Sequence, residues 1–273
     1  MNEIITFFTD VPLSFRTSIL LGGIMFFWIL EGVIPLYSFN YKKTKHAITN
    51  LFFTLSTAII GFGLAFILLK STIFVTQNKI GVIHLFDISL SVQVILSLLI
   101  LDLIGAYLVH FIEHKVPWMW KFHLVHHSDM NVDVTTGLRH HPGETVFRIS
   151  FTILGVYVSG ASIGMVMLYQ SLSVLFAHLT HANINIPKKI DNMISLFFVT
   201  PHMHKIHHHY KQPLTDSNYG NIFSIWDRLF GTYVNVKNQK SIIYGVDTMM
   251  DKTKTTSLKS LFLIPFKRSS SKD

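Results

Sequence analysis

The chain contains no cysteine. That excludes disulfides, thiolate metal sites, iron–sulfur clusters held by the chain itself, and cysteine nucleophiles. Any metal must be held by imidazole, carboxylate and water, a set that suits iron, zinc, copper or nickel. Charge is scarce as well: Asp, Glu, Lys and Arg make up 14% of the 273 residues, against 49% hydrophobic. Mean hydropathy is +0.42, and the long apolar runs point to an integral membrane protein rather than a soluble domain. Residues 1–13 carry Glu3 and Asp10 but no basic side chain, so the basic n-region of a cleavable signal peptide is missing. There is no HExxH and no GxGxxG after a strand, which leaves out the usual zinc-protease arrangement and a nucleotide-bound redox cofactor. The net charge of +8 would suit nucleic acid in a soluble chain. Here the Lys and Arg residues flank apolar segments or lie near the C-terminus, which favours anionic lipid headgroups and no nucleic acid.

The apolar runs give a topology. Residues 14–37 form a first span, with Glu31 near its far end and Pro35 ending or kinking it. The basic stretch Tyr41-Lys42-Lys43-Thr44-Lys45 follows, then spans over 47–69 and 91–113. The third carries Asp102 and His110, with His114 one residue beyond. Lys42, Lys43 and Lys45 place the first loop in the cytoplasm, and Lys115 and Lys121 agree for the stretch after His114. Residues 146–177 are apolar again. A single crossing would put the histidine clusters on opposite sides of the bilayer. The segment therefore reads as a tilted or re-entrant hairpin, 146–158 and 161–178, turning at Ser159-Gly160. Residues 182–268 hold no span and form a cytoplasmic cap with aromatic-rich stretches at 194–199 and 219–233, and the basic, Ser-rich tail from Asp251 is expected to be mobile. The expected fold is an all-α integral membrane protein with about four transmembrane or re-entrant helical units and a cytoplasmic helical cap. Residues 1–97 hold the N-terminal spans, 98–234 the catalytic region with its hairpin, and 235–273 the tail.

What the chain has in abundance is patterned histidine. Fourteen of sixteen lie between His110 and His209. His110 and His114 share a helix face, and Asp102 extends their stripe as a candidate partner for the outer nitrogen of a ligating ring. The pattern His123-x-x-His126-His127 recurs as His204-x-x-His207-His208, so each triplet is expected to offer three imidazoles to one point. His178 and His181 bring the candidate ligands to ten, too many for one ion and suited to two, each keeping room for water or an oxygen ligand. His141 is a candidate ligand or a support to one, and His140, His202 and His209 are near neighbours; His46 and His84 receive no role. All-imidazole ligation of two ions suits simple hydrolysis poorly. A metal-transport protein would need polar residues along several spans, and only Glu31 and Asp102 qualify in the first three.

Over residues 98–234 the sequence resembles the fatty acid hydroxylase / sterol desaturase superfamily of membrane di-metal oxygenases. The matching stretches are DLIGAYLVHFIEH from Asp102, WKFHLVHHSD from Trp120, RHHP from Arg139, HAN from His181, PHMHKIHH from Pro201 and DSNYGNIFSIWDRLFGTY from Asp216. Phe111 stands where many members carry arginine. The resemblance implies two iron ions, with zinc as an alternative occupant in purified protein. It implies O₂ as co-substrate and hydroxylation or desaturation of a C–H bond in a fatty acyl chain or sterol. Carotenoid or ether-lipid oxidation at the same site is the alternative, and a non-catalytic metal-binding or transport protein is the rival from another class. The chain carries no redox cofactor motif, so electrons must come from a separate donor protein, a haem or iron–sulfur carrier with its reductase. Lys188, Lys189, Lys205, Lys211 and Arg228 would steer an acidic carrier or contact lipid headgroups. The implied location is a bacterial inner membrane, with the metal site facing the cytoplasm.

Overall fold

Within hydrocarbon a backbone must satisfy its own polar groups, so apolar runs of this length become helices. The computed structural model describes residues 1–267, and among these the regular elements are all helical. Four helices are long and apolar enough to cross a membrane: Leu13–Val33, Lys43–His84, Leu90–Lys115 and Ile163–His181.

The short helix α1 (Asn2–Thr9), not expected from the sequence, packs against the last of these. Helix α2 (Leu13–Val33) stops at Ile34, the residue before Pro35, where proline disfavours the helical conformation. The chain then clamps onto residues 183–185: Leu36 N–H donates to the Asn183 carbonyl and Asn185 N–H to the Ile34 carbonyl. Helix α3 (Lys43–Gln77) has 35 residues and is longer than the expected 47–69 span. Its first turns rise into the cap, where His46 and Asn50 are bonded. Its middle turns Leu55, Ile59 and Phe62 outward.

The third span is α4 (Leu90–Asp102), a π-helical turn over Leu103–Leu108, and α5 (Val109–Lys115). Next come α6 (Pro117–His127) and then a hairpin of α7 (Pro142–Ser159) and α8 (Ile163–His181). The hairpin turns where the sequence places it. Gly160 has φ +84°, a left-handed conformation that glycine adopts without a Cβ penalty. Its first arm, 18 residues and about 27 Å, is longer than the expected 146–158, and the second, 19 residues, is close to the expected length. Leu68, Val75, Leu101, Val156 and Val166 from α3, α4, α7 and α8 form the membrane-level core. The cap follows with α9 (Lys188–Ile194), α10 (Pro201–His207) and α11 (Ile225–Leu229).

The expected mobile tail is packed instead. Helices α12 (Lys252–Thr256) and α13 (Leu258–Phe262) lie against the bundle. Leu261 and Ile264 are buried with Phe53 and Val125. Arg139 and His141 bond the carbonyls of Thr255 and Phe262. Apolar residues within the basic stretch supply the reason. Residues 268–273 of that tail lie outside the described residues.

Candidate metal centre

Both triplet-bearing helices begin on proline, Pro117 in α6 and Pro201 in α10, which suits a first helical turn. Thr200 caps α10 by accepting from Met203 N–H at 3.2 Å. On such a helix, residues i and i+4 lie about 40° apart, whereas i+3 lies on the other side of i. The triplets therefore do not each converge on one point, as expected from sequence, but split. His110, His114, His123, His127 and His207 form one cluster, and His126, His181, His204 and His208 a second. Within each, the candidate ligand atoms all lie within 4.8 Å of one another. Helix α6 gives two rings to the first and one to the second; the α10 triplet does the reverse. The clusters adjoin, with the His127 and His208 rings stacked at 4.7 Å.

The hydrogen bonds fix how the rings present themselves. His110 and His207 donate from Nδ1 to the carbonyls of Tyr219 (2.8 Å) and Ser217 (2.7 Å). His114 and His123 donate from Nδ1 to Asp216 (3.2 Å) and Glu144 (3.0 Å). With the proton outward, Nε2 carries a lone pair pointing inward. The inward nitrogens of His110 and His123 nevertheless face each other at 3.0 Å. Those of His114 and His207 are buried without a partner. Converging unprotonated nitrogens repel one another unless a cation lies among them, so the donor set fits a metal ion. In the second cluster His181 donates from Nδ1 to the Ala177 carbonyl at 2.8 Å, and its Nε2 lies 3.2 Å from His126 and 3.0 Å from His204. Burial, reinforced by neighbouring imidazoles, holds His123, His126, His127, His204 and His208 well below the ordinary histidine range, and burial takes His207 down to about 4. Neutral imidazole is the form that binds metal.

Supporting groups are mostly ones the sequence left unassigned. Arg148 bridges the two fully buried carboxylates Glu113 and Glu144, at 2.7 Å to each. Glu144 also receives His140 at 2.9 Å, and His140 stacks on His126 at 4.4 Å. Glu31 accepts the N–H groups of Val134 and Asn183, both at 2.7 Å, and pairs with Lys43. It therefore ties α2 to the two segments that flank the histidines. His46 lies between Asp129 (2.8 Å) and Asp133 (3.1 Å), and Tyr41 also bonds Asp133. Burial alone would raise the Asp129 carboxyl, but His46 and Arg139 outweigh it and hold it below the usual range. The only sequence signal for this network was the ionisable residue types in a membrane protein.

Four further expectations need correction. His178 joins neither cluster: its ring packs against Gly23 of α2, where an added methyl group would collide with it, and both its nitrogens lack partners. The adjoining turn of α8 points His181 at α10 instead. Asp102 bonds no histidine. It lies eight residues before His110, about 12 Å along the helix. It accepts from Ile222 N (3.3 Å), Phe223 N (3.1 Å) and Trp226 Nε1 (3.0 Å). It thereby holds the segment whose Tyr219 carbonyl orients His110. His141 caps α7 through Gly143 N–H and stands outside both clusters. Of the other histidines, His202 faces Asp191, and His209 accepts from Ile243 N–H. Lys205, expected on a cationic surface, is fully buried and donates to the carbonyls of Val132 and His181; burial takes it down to about 8. Phe111 packs on Tyr219.

Two hollows stand out. A cavity of about 490 Å³ between α2 and α8 is lined by Gly23, Phe26, Phe27, Leu175, Phe176 and Leu179, among others. A polar cleft of about 430 Å³ reaches His114 and Trp120 from Lys115, Lys211, Asp216 and Asp247.

A family model described as fatty acid hydroxylase matches residues 94–232, just over half the chain. The ornithine lipid hydroxylase OlsE of Rhizobium tropici is 30% identical over 154 residues, 56% of this chain and 45% of that protein. Alkylglycerol monooxygenase of Caenorhabditis elegans is 29% identical over 144 residues, 52% of this chain and 27% of its own. A cholesterol 25-hydroxylase-like protein of Danio rerio is 30% identical over 126 residues, covering 45% and 48%. The chain thus spans less than half the length of these curated relatives. No solved structure matches it.

Proposed function

The chain belongs to the fatty acid hydroxylase family, and from that premise we propose that it is a membrane enzyme that oxidises a lipid C–H bond at a pair of iron ions. The observation that carries this is the pair of adjoining buried clusters, five and four histidines, in which the outward bonds of His110, His114, His123, His181 and His207 leave their inner nitrogens free to ligate. Bound iron would supply the activation of O₂ that attack on an unactivated C–H bond requires. His110, His114, His123, His127 and His207 hold one ion and His126, His181, His204 and His208 the other. The carbonyls of Tyr219, Ser217 and Ala177, with Asp216 and Glu144, keep ring protons on the outer nitrogens and so preserve the ligating form. Arg148 holds Glu144 in place, and Asp102 does the same for the Tyr219 segment.

The apolar cavity beside α8 suits a hydrocarbon chain, and the lipid oxidation named in the relatives favours a lipid substrate. Residues 98–234 are the catalytic region, with 1–97 as its membrane anchor and 235–273 as a flanking segment. Lys43 stands at the same end of the bundle as the histidines, beside Glu31. The basic loop and the metal site therefore share a side, the cytoplasmic face of a bacterial inner membrane. Electrons arrive from a separate carrier protein. The test is lipid mass spectrometry of cells expressing the wild type or His127→Ala. A lipid species heavier by one oxygen, or lighter by two hydrogens, should accumulate only with the wild type. Identical lipid profiles despite equal membrane insertion would count against lipid oxidation.

A further inference from the structure

The cap is apolar on the outside where it meets the spans. Helix α9 buries Asp191, which faces His202, and turns Ile190 and Met193 outward. The stretch that follows exposes Leu196 and Phe197, and the end of α11 exposes Leu229 and Phe230. Phe197 is 63% exposed and Leu229 70%. A surface facing water has the opposite pattern, polar out and apolar in.

The depth of this strip is set by its neighbours. Phe230 stacks on Tyr107 at 5.4 Å, and Phe198 stacks on Phe176 at 5.6 Å. Tyr107 lies eight residues before the end of its span at Lys115 and Phe176 five before the end of α8 at His181. At the helical rise those anchors sit about 12 Å and 7 Å below the helix ends. The strip thus lies beside the last turns of two spans rather than beyond their ends. Lys188, Lys189 and Arg228 are exposed beside it, where they can meet anionic headgroups.

We propose that Ile190, Met193, Leu196, Phe197, Leu229 and Phe230 are immersed in the bilayer leaflet on the side of the metal centre. The cap is seated in the membrane rather than standing above it. Phe176, which anchors the strip through Phe198, also lines the apolar cavity between α2 and α8. The immersed strip therefore borders that cavity at membrane depth. Elements of this kind lie about 5–10 Å into the headgroup and acyl boundary.

The absence of cysteine makes the test direct. Single substitutions Phe197→Cys and Leu229→Cys each give the full-length protein one nitroxide label in phosphatidylglycerol-containing nanodiscs. Phe62→Cys, in the middle of α3, and Lys240→Cys, on the exposed cap surface, provide the references. Collisions with O₂ should exceed those with a water-soluble nickel chelate at both strip positions, as at residue 62. Collision rates like those at residue 240 would put the strip in water and overturn the proposal. Low access to both reagents, with dipolar broadening between labels, would mean that a second copy covers it and would overturn it equally.

Discussion

Replacing His178 and His181 separately should give opposite results, although the two lie three residues apart on one helix. His181 is one of four rings in the second cluster, with Nε2 within 3.2 Å of two others. A four-ligand site worth about 10–16 kcal/mol averages about 3 kcal/mol per ligand. His181→Leu should thus weaken binding at that cluster by more than about a hundredfold, since about 1.4 kcal/mol is tenfold. His178 is buried with both nitrogens unpartnered, and a buried polar group without a partner costs about 1–3 kcal/mol. His178→Leu should therefore keep its metal and match or exceed the wild type in thermal stability. The assay is metal content per chain of detergent-purified protein after dialysis against a chelator, with a melting curve for each variant. Equal loss of metal in the two variants would refute the division of α8 into a ligand face and a packing face.

Asp102→Asn should lower metal retention about 10–100-fold without abolishing it, because it loosens the segment that orients His110; unchanged retention in a chelator competition would remove Asp102 from that role. Leu261→Ala should destabilise the protein by about 2–5 kcal/mol, since Leu261 is fully buried against α3 and α6; an unchanged melting temperature would restore the picture of a loose tail. The metal-free protein should lose stability as pH falls below about 6.5. His207 stays neutral in the fold down to about 4, while the unfolded chain takes up its proton near 6.5. The folded form is therefore disfavoured progressively across that window, by about 3 kcal/mol at its lower end. A flat melting temperature between pH 7 and 5 would contradict this.

The spans, the hairpin and nine of the ten candidate histidines, those that gather in the two clusters, are legible in the sequence because each rests on local periodicity or residue type. Gly160 marks the turn, and His110 to His208 mark the centre. What was not legible depends on how helices rotate against one another. The HxxHH spacing puts three rings on neighbouring parts of a helix. Helix geometry sets the i+3 ring apart from i and i+4, but only the placement of α6 against α10 shows which cluster each ring joins. Likewise, Gly23 on α2 decides that His178 faces packing rather than metal. Asp102 fits a stripe with His110, yet its axial distance sends it to Trp226. The sequence gives His46 no visible role because its partners Asp129 and Asp133 are more than eighty residues away. Lys205 looks like a surface cation in the sequence because its carbonyl partners, Val132 and His181, are distant along the chain.

The most direct measurement is metal content per chain together with Mössbauer spectroscopy on protein from iron-grown cells. Two irons per chain, magnetically coupled, are expected from adjoining clusters of five and four histidines. A single uncoupled ion, or none in protein shown to be folded and supplied with iron, would contradict the di-iron assignment.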